Sequence, residues 1–209
     1  MTDKVILLHG LYMHELVMWP LARRLNRLGW QTECLSYNSL NIDTEVLFQR
    51  LVAALPEGPA YMVGHSLGGV LLHRFAQQHP LPADSRVVTL GSPLQGALLA
   101  DRLASWHLGG VIGNAGHNGL FTDGPRQWTA AAQLGSLAGN AGFGFGQLLG
   151  GMPADTEHDG TVLLPETRIE GMADHVVLPV THTSMLLAEG VARQTDHFLR
   201  QGQFQAQAG

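Results

Sequence analysis

The chain has 209 residues, 45% of them hydrophobic and 14% charged, with a formal net charge of −5, which is too apolar for a disordered chain and long enough for one buried core. No basic stripe exists to neutralise phosphates, which argues against nucleic acid as the main partner, and no apolar run approaches the roughly 18 residues of a membrane span. The single cysteine, Cys34, cannot close an internal disulfide, and Asp3 and Lys4 break the pattern of a secretory leader, so a cytoplasmic protein is expected.

Lys4 to Leu8 is a short apolar run stopped by His9-Gly10, the pattern of a buried parallel strand. Met18, Leu21, Leu25 and Leu28 recur at helical spacing, with Gly29 as the stop. Gln31 to Tyr37 reads as a second strand. Val46, Leu47, Arg50, Leu51 and Ala54 form a second helix ended by Pro56. Ala60 to Val63 is a third strand, followed at once by Gly64-His65-Ser66-Leu67-Gly68-Gly69. Val70, Leu71, Arg74 and Phe75 continue as a helix that stops near Pro80.

Arg86 to Leu90 is a fourth strand, closed by Gly91-Ser92-Pro93, and Ala97 to Trp106 a further helix. Gln133 to Ala138 is a fifth strand and His175 to Val180 a sixth. Ser184 to Leu199 closes the chain as a helix with Leu187, Val191 and Phe198 on one face. Of 26 glycines, 13 lie between Gly109 and Gly151. Glycine weakens helices, so this stretch is read as a loop-rich excursion inside one domain spanning 1–209. Strands alternating with helices predict an α/β fold, with about six parallel strands and helices on both faces. In such sheets the chemistry gathers at the carboxyl ends of the strands.

Gly64-His65-Ser66-Leu67-Gly68 matches G-x-S-x-G between a strand and a helix. A sharp turn there presents the Ser66 hydroxyl, and the helix N-terminus places N–H groups near any developing negative charge. A serine hydroxyl needs a base. His182 follows the last strand, as the chain order of such triads requires, with His175 as the competitor; His65 points away and reads as structural. The acid should fall between Ser66 and His182. Asp155, Glu157, Asp159, Glu166 and Asp174 compete. Asp159-Gly160 is the best placed, because Gly160 permits a tight turn. Asp174 begins a strand, at the wrong edge of the sheet.

Together, His9-Gly10-Leu11, Gly64-His65-Ser66-Leu67-Gly68-Gly69, Leu90-Gly91-Ser92-Pro93 with Gly96, Asp159-Gly160-Thr161-Val162 and His182-Thr183-Ser184 make the chain resemble the α/β-hydrolase fold serine esterases and lipases. The likeness is to compact microbial lipases and to lipase-like relatives of GPI inositol-deacylases. It implies a single α/β-hydrolase domain with Ser66 as nucleophile, Asp159 as orienting acid and His182 as base. It also implies an oxyanion hole from the backbone N–H groups of Leu11 and Leu67, with Tyr12 or Met13 as alternatives to Leu11. No large helical cap is present; the Gly-rich stretch at about 109–151 takes its place.

The implied activity is hydrolysis of a small-molecule or lipid carboxylic ester without cofactor or metal. Acyltransferase and thioesterase chemistry, or a non-catalytic binding protein on the same fold, are the alternatives. Tyr12 and Leu94 are the expected substrate contacts. Leu11, Met13, Phe121, Trp128, Phe143 and Phe145 are further candidates for an acyl pocket or a mobile cover.

Overall fold

A computed structural model describes residues 3–143, 152–153 and 155–206. Six strands form one sheet: β1 (Lys4–Leu8), β2 (Gln31–Leu35), β3 (Tyr61–His65), β4 (Arg86–Leu90), β5 (Gln133–Gly139) and β6 (Asp174–Leu178). Their order is β2-β1-β3-β4-β5-β6 and every pair is parallel. The helices are α1 (Trp19–Arg27), α2 (Thr44–Ala54), α3 (Leu67–Gln78), α4 (Leu98–Ser105) and α5 (Glu189–Gln201). None is long and apolar enough to cross a membrane.

Alternation along β1 explains the layering. Val5 and Leu7 face one side, where Leu21 and Leu25 of α1 and Val191, Phe198 and Leu199 of α5 join them. Ile6 and Leu8 face the other, against Leu47 and Leu51 of α2, Leu71 and Phe75 of α3 and Leu99 and Leu103 of α4. A strand buried on both faces must be apolar throughout, which is why Lys4 to Leu8 carries no internal polar position. The chain leaves β1 toward β2 on one side and continues from β3 on the other. That reversal opens a crevice at the carboxyl ends of β1 and β3.

Several element ends differ from the sequence reading, β3 running on to His65 and β5 to Gly139. β6 stops at Leu178, and β2 stops at Leu35, two residues short of the expected strand ends. The closing helix begins at Glu189. Ser184–Leu186 is a separate 3-10 turn, and Leu187 is 56% exposed, off the face shared by Val191 and Phe198. The extended Ala188 between the two segments rotates the register. The first part of the Gly-rich stretch is a 3-10 segment, Gly109–Ala115, running into a single wide turn, Gly116–Leu120.

Candidate active site

Ser66 sits between the last residue of β3 and the first of α3, at φ 54°, ψ −122°. A positive φ on a non-glycine residue is costly and persists only where the surroundings enforce it. Here the Ser66 N–H donates to the Leu90 carbonyl of β4 at 2.9 Å, and the Gly69 N–H donates to the Ser66 carbonyl at 3.0 Å. Gly68 lets α3 start against β1: a Cβ there would meet the Leu8 carbonyl oxygen at 2.5 Å. Leu67, first in the helix, carries one of the N–H groups that a helix N-terminus leaves unpaired.

The register Leu8↔Gly64 sets β1 and β3 level, so Gly10 arrives beside Ser66. A Cβ on Gly10 would lie 3.0 Å from the Ser66 Cβ. That close approach brings the Gly10–Leu11 peptide to the serine. Its orientation is held by His9. The His9 ring is buried and stacks on Tyr37 at 4.3 Å and 10°. Its Nδ1 lies 2.9 Å from the Gly10 carbonyl, the Tyr37 N–H donates to its Nε2 at 3.3 Å, and the Tyr37 hydroxyl donates to its carbonyl at 2.8 Å. One tautomer, Nδ1–H with a bare Nε2, satisfies both ring contacts. Burial lowers the His9 pKa below the ordinary value, which favours that neutral form. In a trans peptide, C=O and N–H point opposite ways, so pinning the Gly10 carbonyl turns the Leu11 N–H away from His9. The Tyr12 N–H is already taken by the Ser39 hydroxyl at 3.0 Å.

Asp159 and His182 meet from different loops. The Asp159 carboxylate is buried; its Oδ1 accepts from the Thr161 and Val162 N–H groups at 2.9 and 2.8 Å. Its Oδ2 lies 2.7 Å from His182 Nδ1. The Asp-Gly turn thus aims the Asp159 carboxylate inward, while the backbone carbonyl of Asp159 accepts from the His182 N–H at 2.8 Å. His65 braces His182: its Nε2 donates to the His182 carbonyl at 2.8 Å, and the two rings lie 4.8 Å apart. Full burial pushes the His65 pKa down to about 3, so that ring is neutral. The competing acids stand elsewhere. Asp155 and Glu157 are exposed, and Asp174 binds the Phe204 N–H at the amino end of β6. Glu166 caps two segments instead. Its Oε1 accepts from Leu98 at the start of α4, and its Oε2 from Leu163. Burial raises its pKa to about 7. His175 bonds Thr167 and is likewise apart from Ser66.

Ser66 and His182 open into one cavity of about 210 Å³, whose other lining residues are Leu11, Met13, Pro93, Ala97, Leu99, Ala100, Ile112, Leu120, Thr161, Val162 and Thr183. The two expected substrate contacts are displaced from it. Tyr12 has a φ of 58° that swings its side chain outward; it is 57% exposed, and its hydroxyl donates to the Val111 carbonyl. Leu94 is buried in the core beneath, while its neighbour Pro93 lines the cavity. Trp128 is core, Phe143 is 81% exposed, and Phe145 lies outside the described residues. The lining from Ile112 and Leu120 and the support from His9 and Glu166 were not read from sequence. The His9-Gly10 pair at a strand end was the one available signal.

No protein-family model matches the chain, and no curated protein matches it in sequence. Solved structures do match it. A thioesterase domain, NocB, in covalent complex with a fluorophosphonate nocardicin G analog, overlays 96% of this chain and 94% of its own at a TM-score of 0.59 and 18% identity. A protein described as a hydrolase of the alpha/beta superfamily from Xanthomonas campestris overlays 95% and 98% at 0.58 and 16% identity. ClbQ of the colibactin pathway overlays 96% and 99% at 0.55 and 14% identity. The chain spans less than half the length of the pyrethroid hydrolases it also matches, such as that of Sphingobium faniae at 44% of that chain and a TM-score of 0.39. The near-complete overlays establish the α/β-hydrolase fold.

Proposed function

We propose that the protein is a serine hydrolase that cleaves carboxylic esters through a covalent acyl-enzyme. One observation carries the reading: a strained, partly exposed Ser66 shares a cavity with His182, whose far ring nitrogen is held at 2.7 Å by the buried Asp159. His182 Nδ1–H donating to Asp159 leaves the Nε2 lone pair free as a base. Among the described residues no hydrogen bond joins Ser66 to His182; such nucleophile–base contacts are commonly long and tighten once substrate binds.

Ser66 Oγ attacks the ester carbonyl carbon as His182 Nε2 takes its proton. The carbonyl oxygen becomes an oxyanion, held by the Leu11 and Leu67 N–H groups. The tetrahedral intermediate collapses, the bond to the alcohol oxygen breaks, and His182 returns its proton to that oxygen. Water then attacks the acyl-enzyme, again losing a proton to His182, and Ser66 leaves with that proton as the acid departs. The likeness to compact lipases and GPI-deacylase relatives rests on the motif blocks. The overlays above support the hydrolase fold beneath it.

Release of p-nitrophenolate from p-nitrophenyl butyrate tests the reading. Wild type is expected to turn over and Ser66→Ala to fall to background. Equal rates in both would overturn it. Added methanol separates the acyltransferase: for a hydrolase the product remains butyrate, whereas a methyl ester as the main product assigns transfer instead.

A further inference from the structure

The cavity beside Ser66 combines an apolar lining with a limited volume. We infer that it is an acyl pocket for an uncharged carboxylic acyl chain of about six to eight carbons, an inference that rests on Ser66 being the nucleophile.

Among the described residues no Lys, Arg, Asp or Glu lines the cavity, and Pro93, Ala97, Leu99, Ala100, Ile112 and Leu120 give it an apolar wall. A charged group entering it would lose its water with no partner to replace it, which is prohibitive in an apolar site. An apolar cavity of about 150 Å³ holds a six-carbon benzene, so a volume of about 210 Å³ has room for roughly eight carbons.

The wall is built to keep that length. Leu99 and Ala100 stand on the first turn of α4, which Glu166 caps at Leu98 N–H with a 2.6 Å hydrogen bond. Ile112 belongs to a segment tied to the chain between β2 and α2. There the Ile42 N–H donates to Asn114 Oδ1 at 2.7 Å, and Asn114 Nδ2 donates to the Ile42 carbonyl at 2.9 Å. Leu120 is held through the Gly119 carbonyl, which accepts from Arg126 at 2.6 Å. Ala97 and Ala100 are small residues on an otherwise bulky wall, so each leaves space that a chain can fill.

Chain-length profiles test this directly. For p-nitrophenyl esters from acetate to hexadecanoate, kcat/KM is expected to rise about three- to fourfold per methylene and to peak between hexanoate and octanoate. It then falls for longer chains. A suberate monoester, octanoate-like with a terminal carboxylate, is expected at least 100-fold below octanoate. Ala100→Leu is expected to lower the octanoate-to-butyrate ratio at least tenfold, and Ile112→Ala to move the optimum to longer chains. Because each variant is read as a ratio within itself, partial misfolding does not imitate the result. A flat acyl profile, hydrolysis of the suberate monoester as fast as octanoate, or a length optimum that follows the alcohol instead would overturn the acyl pocket. Fluorophosphonate labelling of Ser66 run alongside separates the two levels: labelling with a flat profile refutes the pocket alone, and no labelling refutes the hydrolase reading beneath it.

Discussion

Asp159 grips His182 at two points: the carboxylate at the ring nitrogen Nδ1, 2.7 Å away, and the backbone carbonyl at the His182 N–H, 2.8 Å away. The backbone contact fixes where the residue sits, and the side-chain contact fixes the ring and its tautomer. Only the second depends on the chemical nature of the side chain.

Asp159→Asn therefore keeps the loop and loses the tautomer. An Asn at 159 can still accept from Thr161 and Val162 through Oδ1, so the fold is expected to hold. Its amide group presents a donor to His182 Nδ1, and kcat on p-nitrophenyl butyrate is expected to fall by about 10,000-fold. Asp155→Asn, on an exposed residue, is the control and should stay within twofold. The reverse pattern would move the acid to Asp155.

His65 makes stability depend on pH. The folded protein holds this ring neutral down to about pH 3, while the unfolded chain protonates it near 6.5. Its contribution is full above 6.5 and is lost as pH falls through that window. Between pH 7 and pH 5 the loss is about 2 kcal/mol. Glu166 acts in the opposite sense. With its folded pKa raised to about 7, its contribution is full below the unfolded value of 4.5 and is lost as pH rises toward 7. Comparing wild type with His65→Gln cancels Glu166. Denaturation at the two pH values should show the wild type losing about 2 kcal/mol more than the variant; equal losses would contradict a buried neutral His65.

His9 is predicted to act on turnover through the Gly10–Leu11 peptide. His9→Ala frees the Gly10 carbonyl and lets the Leu11 N–H turn from the site. A fall in kcat of about 10- to 100-fold with little change in KM is expected, since only transition-state binding is lost. His9→Asn restores an N–H close to the position of Nδ1 and should recover part of the rate. Undiminished kcat in His9→Ala would detach this network from catalysis.

The part of the Gly-rich stretch around His117 to Trp128 is predicted to be fixed. Arg126 donates to the Gly119 and Phe121 carbonyls and pairs with Asp123 at 2.6 Å. Trp128 is buried, and its indole N–H donates to the Ala132 carbonyl at 2.6 Å. Amide exchange between Gly119 and Phe121 should be slow in the free protein. Arg126→Ala leaves carbonyls unpaired at a cost of about 1–3 kcal/mol, a Tm drop of about 3–10 °C for this length, and should speed that exchange. Fast exchange in the wild type would favour a mobile cover.

The elements and the site were legible to different depths. The ends of β1 and β4 follow from apolar runs bounded by glycine or polar residues, and the candidate residues Ser66, Asp159 and His182 are singled out by turn chemistry at strand ends. Such signals are local. What lines the cavity is not local, because it depends on where loops send their side chains. The positive φ of Tyr12 throws that ring outward while Leu11 and Met13 on either side turn in, and no spacing rule encodes that choice. Glu166 shows the same limit: as sequence it was one acid among five, and only the fold sets it between the starts of two segments.

The central claim is that Ser66 is the nucleophile. Peptide mapping by mass spectrometry after fluorophosphonate treatment of the folded protein tests it without assuming a substrate. One adduct is predicted, on the peptide containing Ser66, formed rapidly by wild type, at least 100-fold more slowly by His182→Ala and not by Ser66→Ala. An adduct on Ser92 instead, or none on the folded wild type, would contradict the account.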